Sequence, residues 1–134
     1  MRQVRIALIG LGNVGKAFLQ LMIDKETLLR EQYGLSLILT AAADSSGNLI
    51  DDRGIDPAAL LSHKQGGRGV AAFEGGQAGL SSPNVVAQAP ADLMLEASPV
   101  NLQTGQPGLD CARTAIDRGM GVILANKGPL VHDY

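Results

Sequence analysis

A short apolar strand running straight into Gly10-Leu11-Gly12-Asn13-Val14-Gly15 is the feature that most constrains this chain. The spacing is G-x-G-x-x-G, and glycine triplets of that kind recur by chance, so the flanks carry the reading. Residues 4–9 (Val-Arg-Ile-Ala-Leu-Ile) read as a buried strand, and Val14, Ala17, Phe18, Leu21 and Met22 then recur at helical spacing. In a strand–turn–helix unit each glycine has a job. Gly10 permits the tight turn, Gly12 lets the backbone approach a pyrophosphate, and Gly15 lets the helix pack closely on the strand. The helix N-terminus adds unpaired N–H groups and the positive end of its dipole. A ligand-free glycine turn is the competing reading.

The 134 residues fit one domain or a piece of something larger. With 46% hydrophobic residues, 3% aromatics and no Trp, the core must be aliphatic. A net charge of −2 without a basic run gives no field for nucleic acid or an anionic membrane. A single cysteine, Cys111, excludes an intramolecular disulfide and offers no metal cluster, which suits a reducing, cytoplasmic setting. No apolar stretch approaches the roughly 18 residues of a membrane span, and the N-terminus has no signal-peptide pattern.

Along the chain, residues 13–30 predict the first helix and 35–43 a second strand, apolar throughout as in a sheet covered on both faces. Asp44-Ser45-Ser46-Gly47-Asn48 closes it as a polar turn. Asp56-Pro57 starts a helix running to about His63. The rest of 48–91 reads as an elaborated, glycine-rich crossover, with a third strand near 70–73 or 85–89. Residues 93–96 are a short buried strand ended at Ser98-Pro99. Residues 108–118 are a helix with Leu109, Ala112 and Ile116 on one face and Gly119 as its stop, and 121–125 are another buried strand. The alternation predicts an α/β, Rossmann-type doubly wound and mostly parallel sheet with helices on both faces, as a single domain over 1–134. Ligands of such sheets bind beyond the C-terminal strand ends. The glycine turn, Asp44, Ala97-Ser98-Pro99 and Asn126-Lys127 all fall there.

Asp44 is the candidate for an adenosine ribose, since a carboxylate accepts the 2′-hydroxyl and repels a 2′-phosphate. It follows Gly15 by 29 residues, later than the usual ~20, and an Asx-type turn with Ser45 or Ser46 explains it equally well. NAD is favoured over NADP on this ground, with Arg53 or Lys64 as alternative phosphate ligands. Lys127 follows a strand and precedes Gly128-Pro129, where an ammonium can polarise a carbonyl oxygen or relay a proton; a solvated strand-end lysine is the bland alternative. Glu96 and Asp92 flank the fourth strand; Glu96 reads as a structural or helix-capping carboxylate, with facing the cofactor cleft as its alternative, His63 and His132 read as surface residues, and Cys111 as a packing residue.

Residues 96–109 (Glu-Ala-Ser-Pro-Val-Asn-Leu-Gln-Thr-Gly-Gln-Pro-Gly-Leu) and 118–131 (Arg-Gly-Met-Gly-Val-Ile-Leu-Ala-Asn-Lys-Gly-Pro-Leu-Val) resemble homoserine dehydrogenases, whose signature is G-x-x-V-x-x-A-N-K-G-P-L. Residues 8–15 and 43–47 fit as well, and the resemblance is weakest over 50–90. It implies nicotinamide-dependent interconversion of L-aspartate 4-semialdehyde and L-homoserine, a step of threonine, methionine and isoleucine synthesis. It implies that Gly10, Gly12, Asn13, Val14 and Gly15 hold the dinucleotide, NAD or NADP, with Asp44 and Ser45 near its adenosine ribose. Ser98, Pro99 and Asn126 would line the nicotinamide end, and Lys127 would stand at the hydride-transfer centre as the catalytic residue. Members of that family continue past this signature into a catalytic and dimerisation domain. The expectation is therefore a cofactor domain that binds without turnover and self-associates, with no metal of its own. Another semialdehyde or amino-acid dehydrogenase, or a non-catalytic NAD(H)-sensing module, are the alternatives.

Overall fold

The computed structural model describes residues 2–98 and 108–125. Its five strands are β1 (Arg2–Ile9), β2 (Leu35–Asp44), β3 (Gly47–Ile55), β4 (Leu93–Glu96) and β5 (Gly121–Leu124). Its helices are α1 (Asn13–Asp24), α2 (Glu26–Tyr33), α3 (Pro57–Gln65), α4 (Ser82–Gln88) and α5 (Gly108–Asp117). The sheet order is β3-β2-β1-β4-β5, and every pairing is parallel except that of β2 with β3. This is the α/β, mostly parallel sheet the alternation predicts.

Side chains of a strand alternate between faces, and β1 shows the consequence. Leu8 packs with Leu19, Met22, Leu39, Leu60 and Val70 under α1 and α3. Its neighbours Ala7 and Ile9 pack with Val85, Val86, Met94, Cys111 and Ala115 under α4 and α5. Residues 6–9 are wholly buried, so β1 is the spine of a three-layer sandwich. Arg118 ties the second helical layer together: its guanidinium donates to the carbonyls of Val86 and Ala89 at 2.7 and 2.6 Å, satisfying the C-terminal end of α4.

Several sequence expectations are corrected. The single helix over 13–30 is two, broken at Lys25 (φ −102°, ψ 3°). The buried stripe of α1 ends at Met22 and α2 buries no residue, so nothing holds the two in line. The third strand lies in neither expected place. It is β3, which returns from the Asp44–Gly47 turn as a hairpin, while Val70–Ala72 is a 3-10 turn and Val85 and Val86 belong to α4. In α5 the inward residues are Gly108, Cys111, Ala112 and Ala115, small enough to bring the helix close to the sheet, and Ile116 is 64% exposed. Among the described residues β5 stands at the end of the sheet order and is not fully buried, with Ile123 46% exposed. Among the described residues no helix is long and apolar enough to cross a membrane.

Candidate functional site

The parallel ladder brings the relevant strand ends into one row. Ile9 pairs with Ala43 on one side and with Glu96 on the other, and Glu96 pairs with Leu124. Backbone hydrogen bonds continue the row by one residue, from Gly10 N to Ala43 O at 2.8 Å, Ala97 N to Ile9 O at 2.7 Å and Ala125 N to Glu96 O at 2.8 Å. The row lies where the chain leaves β1 toward β2 on one side and has β4 on the other, the switch point at which open α/β sheets bind ligands.

Two glycines shape this edge. Gly10 has φ +98°, a conformation side chains rarely adopt, and a Cβ there would collide with the Ser98 nitrogen and the Ala97 carbonyl. A Cβ on Gly15 would strike the Gly10 carbonyl, so α1 can start this close to β1 only without one. Gly12 differs: a Cβ there meets nothing within 4 Å. It is the N-cap of α1, with no side-chain hydrogen bond to the first-turn N–H groups. The helix therefore begins with its donors facing open space, beside a cleft of about 390 Å³ lined by Gly10, Leu11, Gly12, Ala43, Asp44, Ser45, Lys64, Ser82 and Ser98. Asn13 and Val14 stand exposed on the first turn. A larger and more open depression, about 1040 Å³, runs along β3 between Asp51, Asp52, Asp56 and Glu74. It touches neither the glycine turn nor the β1, β2 and β4 ends, and the smaller cleft is the one that fits the switch point.

Asp44 closes the β2 side. Its Oδ1 accepts from the N–H groups of Ser46 (2.9 Å) and Gly47 (3.2 Å) and from the Ser46 hydroxyl (2.6 Å). Its Oδ2 accepts from the Lys64 ammonium (2.5 Å) and the Val70 N–H (3.0 Å). Burial raises the carboxyl's pKa, yet the bonds from Lys64, Ser46 and Val70 outweigh it and leave Asp44 below its ordinary value. An Asx-type turn of Asp44 with Ser46 and Gly47 is built in this structure, and five donors reach the carboxylate's roughly four lone-pair sites.

On the β4 side, Glu96 is wholly buried, and its Oε1 accepts the Ser98 N–H (2.7 Å) and the Ser98 hydroxyl. Burial pushes the Glu96 carboxyl up, against the opposing bonds from Ser98 and Cys111. Asp92, at the other end of β4, pairs with Arg5 through that residue's backbone N–H (2.9 Å) and guanidinium (3.5 Å), away from the cleft. His63 is not simply a surface residue: it meets the Gly69 carbonyl at 2.6 Å and stands edge-on to Phe73, 5.2 Å between ring centres. Cys111 is buried, as expected of a packing residue. Pro99, Asn126, Lys127 and His132 lie outside the described residues.

The structure thus brings Gly10, Gly12, Asn13, Val14, Gly15, Asp44, Ser45 and Ser98 to one edge of the sheet. Sequence reasoning missed Ser82, whose signal was the helix-start run Ser81-Ser82-Pro83; the Ser81 hydroxyl caps α4 by accepting from Asn84 N. Among the described residues no three metal-ligating side chains cluster.

Residues 1–102 match the family model described as Glutamate/Leucine/Phenylalanine/Valine dehydrogenase. The homoserine dehydrogenase of Methanocaldococcus jannaschii is 30% identical over 129 residues, 96% of this chain and 38% of that protein. The NAD(+)-dependent homoserine dehydrogenase of Pseudomonas canavaninivorans is 28% identical over 97% of this chain and 37% of its own length. The crystal structure of homoserine dehydrogenase from Thermoplasma acidophilum superposes with a TM-score of 0.78 at 26% identity, over 98% of this chain and 39% of that one. A hyperthermophilic archaeal homoserine dehydrogenase in complex with NADPH has the same fold, with a TM-score of 0.79 at 19% identity over 99% of this chain and 39% of that one. The chain spans less than two-fifths of the length of these relatives.

Proposed function

This chain belongs to the Glutamate/Leucine/Phenylalanine/Valine dehydrogenase family, and from its likeness to homoserine dehydrogenases we propose that it is the nicotinamide-dinucleotide-binding domain of one. The observation that carries the proposal is the open N-terminus of α1 at Gly12. A residue there would meet no atom of the protein, while Gly10 and Gly15 are forced to be glycine by the protein itself. A Cβ-free approach to uncapped backbone donors is what a pyrophosphate requires. The residues present therefore fit the cofactor.

In this reading the Gly10–Gly15 turn, with the first-turn N–H groups of Asn13 and Val14, holds the pyrophosphate. The strand order sets the direction. Asp44 and Ser98 stand on either side of Gly10, on β2 and β4, so the adenosine ribose lies toward Ser45 and Lys64 and the nicotinamide toward Ser98. The bound nicotinamide supplies the hydride acceptor or donor that interconverts L-homoserine and L-aspartate 4-semialdehyde. Pro99 and Asn126 complete the nicotinamide end, and Lys127 is the group that polarises the reacting oxygen or relays its proton. Hydride transfer also requires the substrate held in a near-attack geometry, a task the remaining three-fifths of the relatives' length performs. Residues 1–134, one domain, then bind cofactor without turnover. The setting we assign is cytoplasmic threonine, methionine and isoleucine synthesis by a homo-oligomer.

NAD is the preferred dinucleotide in this proposal. Asp44 and Lys64 are the charged residues lining the cleft and form a neutral pair, so the cleft wall itself offers a 2′-phosphate no net positive charge. The Pseudomonas relative is NAD(+)-dependent. Calorimetric titration of the chain with NAD⁺ and separately with NADP⁺, each repeated on Gly12→Val, tests the reading. Binding that disappears in the variant is expected; no binding of either cofactor to the wild-type chain overturns it.

A further inference from the structure

The Glu96 carboxyl is wholly buried beneath the cleft, and the binding scheme above gives it no part. It is not a distant core residue. Its Oε1 takes both the backbone N–H and the hydroxyl of Ser98, two positions along the chain, and Ser98 lines the cleft. On the other side Ser98 is walled by Gly10, whose missing Cβ is the space that the Ser98 nitrogen and Ala97 carbonyl occupy. Ser98 thus sits between a glycine that must be empty and a carboxyl that holds it by two bonds. The buried Cys111 thiol on α5 lies near the Glu96 carboxyl.

Burying a carboxyl is costly and an apolar side chain of the same volume would pack this position at less expense. Two of the carboxyl's bonds go to Ser98, and an apolar side chain of that volume would make neither. We propose that Glu96 is a positioning residue of the dinucleotide site: it sets the place of the Ser98 backbone and the direction of the Ser98 hydroxyl, and through them the wall of the cleft beside β4. Glu96 does not touch the ligand. The proposal rests on the dinucleotide reading of the cleft.

The test uses the 134-residue chain, NAD⁺ as the probe, and two variants. Glu96→Met keeps the volume and removes the acceptor; Glu96→Gln keeps an acceptor oxygen and removes the charge. Calorimetry gives the affinity, thermal unfolding the stability, and amide hydrogen exchange the protection of the Ser98 N–H. Losing these bonds is expected to weaken NAD⁺ about tenfold in Glu96→Met, the size of one charge-assisted hydrogen bond, with Ser98 protection lost and the melting temperature kept or raised. Glu96→Gln is expected to restore affinity to within about threefold and to keep the protection. A purely structural carboxyl predicts the reverse split, affinity unchanged in Glu96→Met while stability moves, and that result overturns the proposal. Tenfold weaker binding in Glu96→Gln with Ser98 still protected also overturns it, even if the Met variant does not fold. Wild-type chain that binds no dinucleotide overturns the underlying reading instead, and is told apart because the unliganded Ser98 protection is scored separately.

Discussion

The ammonium of Lys64 on α3 lies 2.5 Å from Oδ2 of Asp44 at the end of β2, with side-chain exposures of only 16% and 8%. A pair this sheltered is more than a surface contact. It joins the first helical layer to the lip of the cleft, and Val70 N–H completes it. Because the folded-state pKa of Asp44 lies below its ordinary value of 3.8, the folded form binds this proton less readily than the unfolded chain does. The group's contribution to stability is then complete above pH ~4 and is lost as pH falls through the folded pKa. Urea unfolding at pH 7 and at pH 3 should show a decrease in the wild type that is smaller in Asp44→Asn. Equal decreases in both would remove Asp44 as the source.

The same pair sets the charge at the ribose end. Asp44→Asn leaves Lys64 without its counter-ion and turns one amide N–H toward donors that previously met a carboxylate. We expect a loss of about 2 kcal/mol in stability, the order of breaking a charged hydrogen bond. We also expect the NADP⁺ to NAD⁺ affinity ratio to rise about tenfold, since a freed ammonium attracts the 2′-phosphate. Lys64→Ala should move the ratio the opposite way. Calorimetry with both dinucleotides on the two variants checks this, and an unchanged ratio in both would assign the ribose end to other residues.

Gly10 and Gly12 are two positions apart and should respond oppositely to alanine. Gly10→Ala places a Cβ at φ +98° against the Ser98 nitrogen and is expected to destabilise by roughly 3 kcal/mol or more. Gly12→Ala meets open space at φ −78° and should leave the melting temperature within a few degrees while abolishing dinucleotide binding. Melting curves and titrations of the two variants separate fold from site. A Gly12→Ala protein that binds NAD⁺ normally would show that no ligand approaches there.

Much of this architecture was legible because its central strands are plain. Residues 4–9 and 35–43 are apolar runs that only a doubly covered sheet can bury, and Asp56-Pro57 starts α3 where the capping chemistry says it should, with Asp56 accepting from Ala58 N. The edges were not legible. β3 carries Asp51, Asp52, Arg53 and Gly54, residues an edge strand tolerates because one side of it faces water, so its composition resembles a loop. β5 erred the other way, since an apolar run of four reads as buried whether or not a neighbour covers it. At the site, motif spacing located the glycines, while Asp44 and Ser98 were placed by their positions at strand ends. It did not find that Asp44 is already saturated, because Lys64 and Val70 reach it from 20 and 26 residues away.

Cys111 offers a direct reading of whether the β4 side stays closed. Its thiol is buried between α5 and the sheet, and burial together with the nearby Glu96 carboxyl pushes its pKa well above the usual thiol range. The reactive thiolate is therefore scarce at neutral pH and also shielded. In native buffer a disulfide-exchange reagent should label Cys111 only as fast as the domain opens, and within the mixing time in denaturant. A dinucleotide that binds the folded form alone should slow that labelling about 100-fold at 100 times its Kd, when labelling proceeds through global opening. Rapid labelling of the folded chain would mean that α5 does not cover the sheet as described. Slow labelling indifferent to saturating dinucleotide would mean that opening at Cys111 is local and leaves the Gly10–Gly15 turn intact.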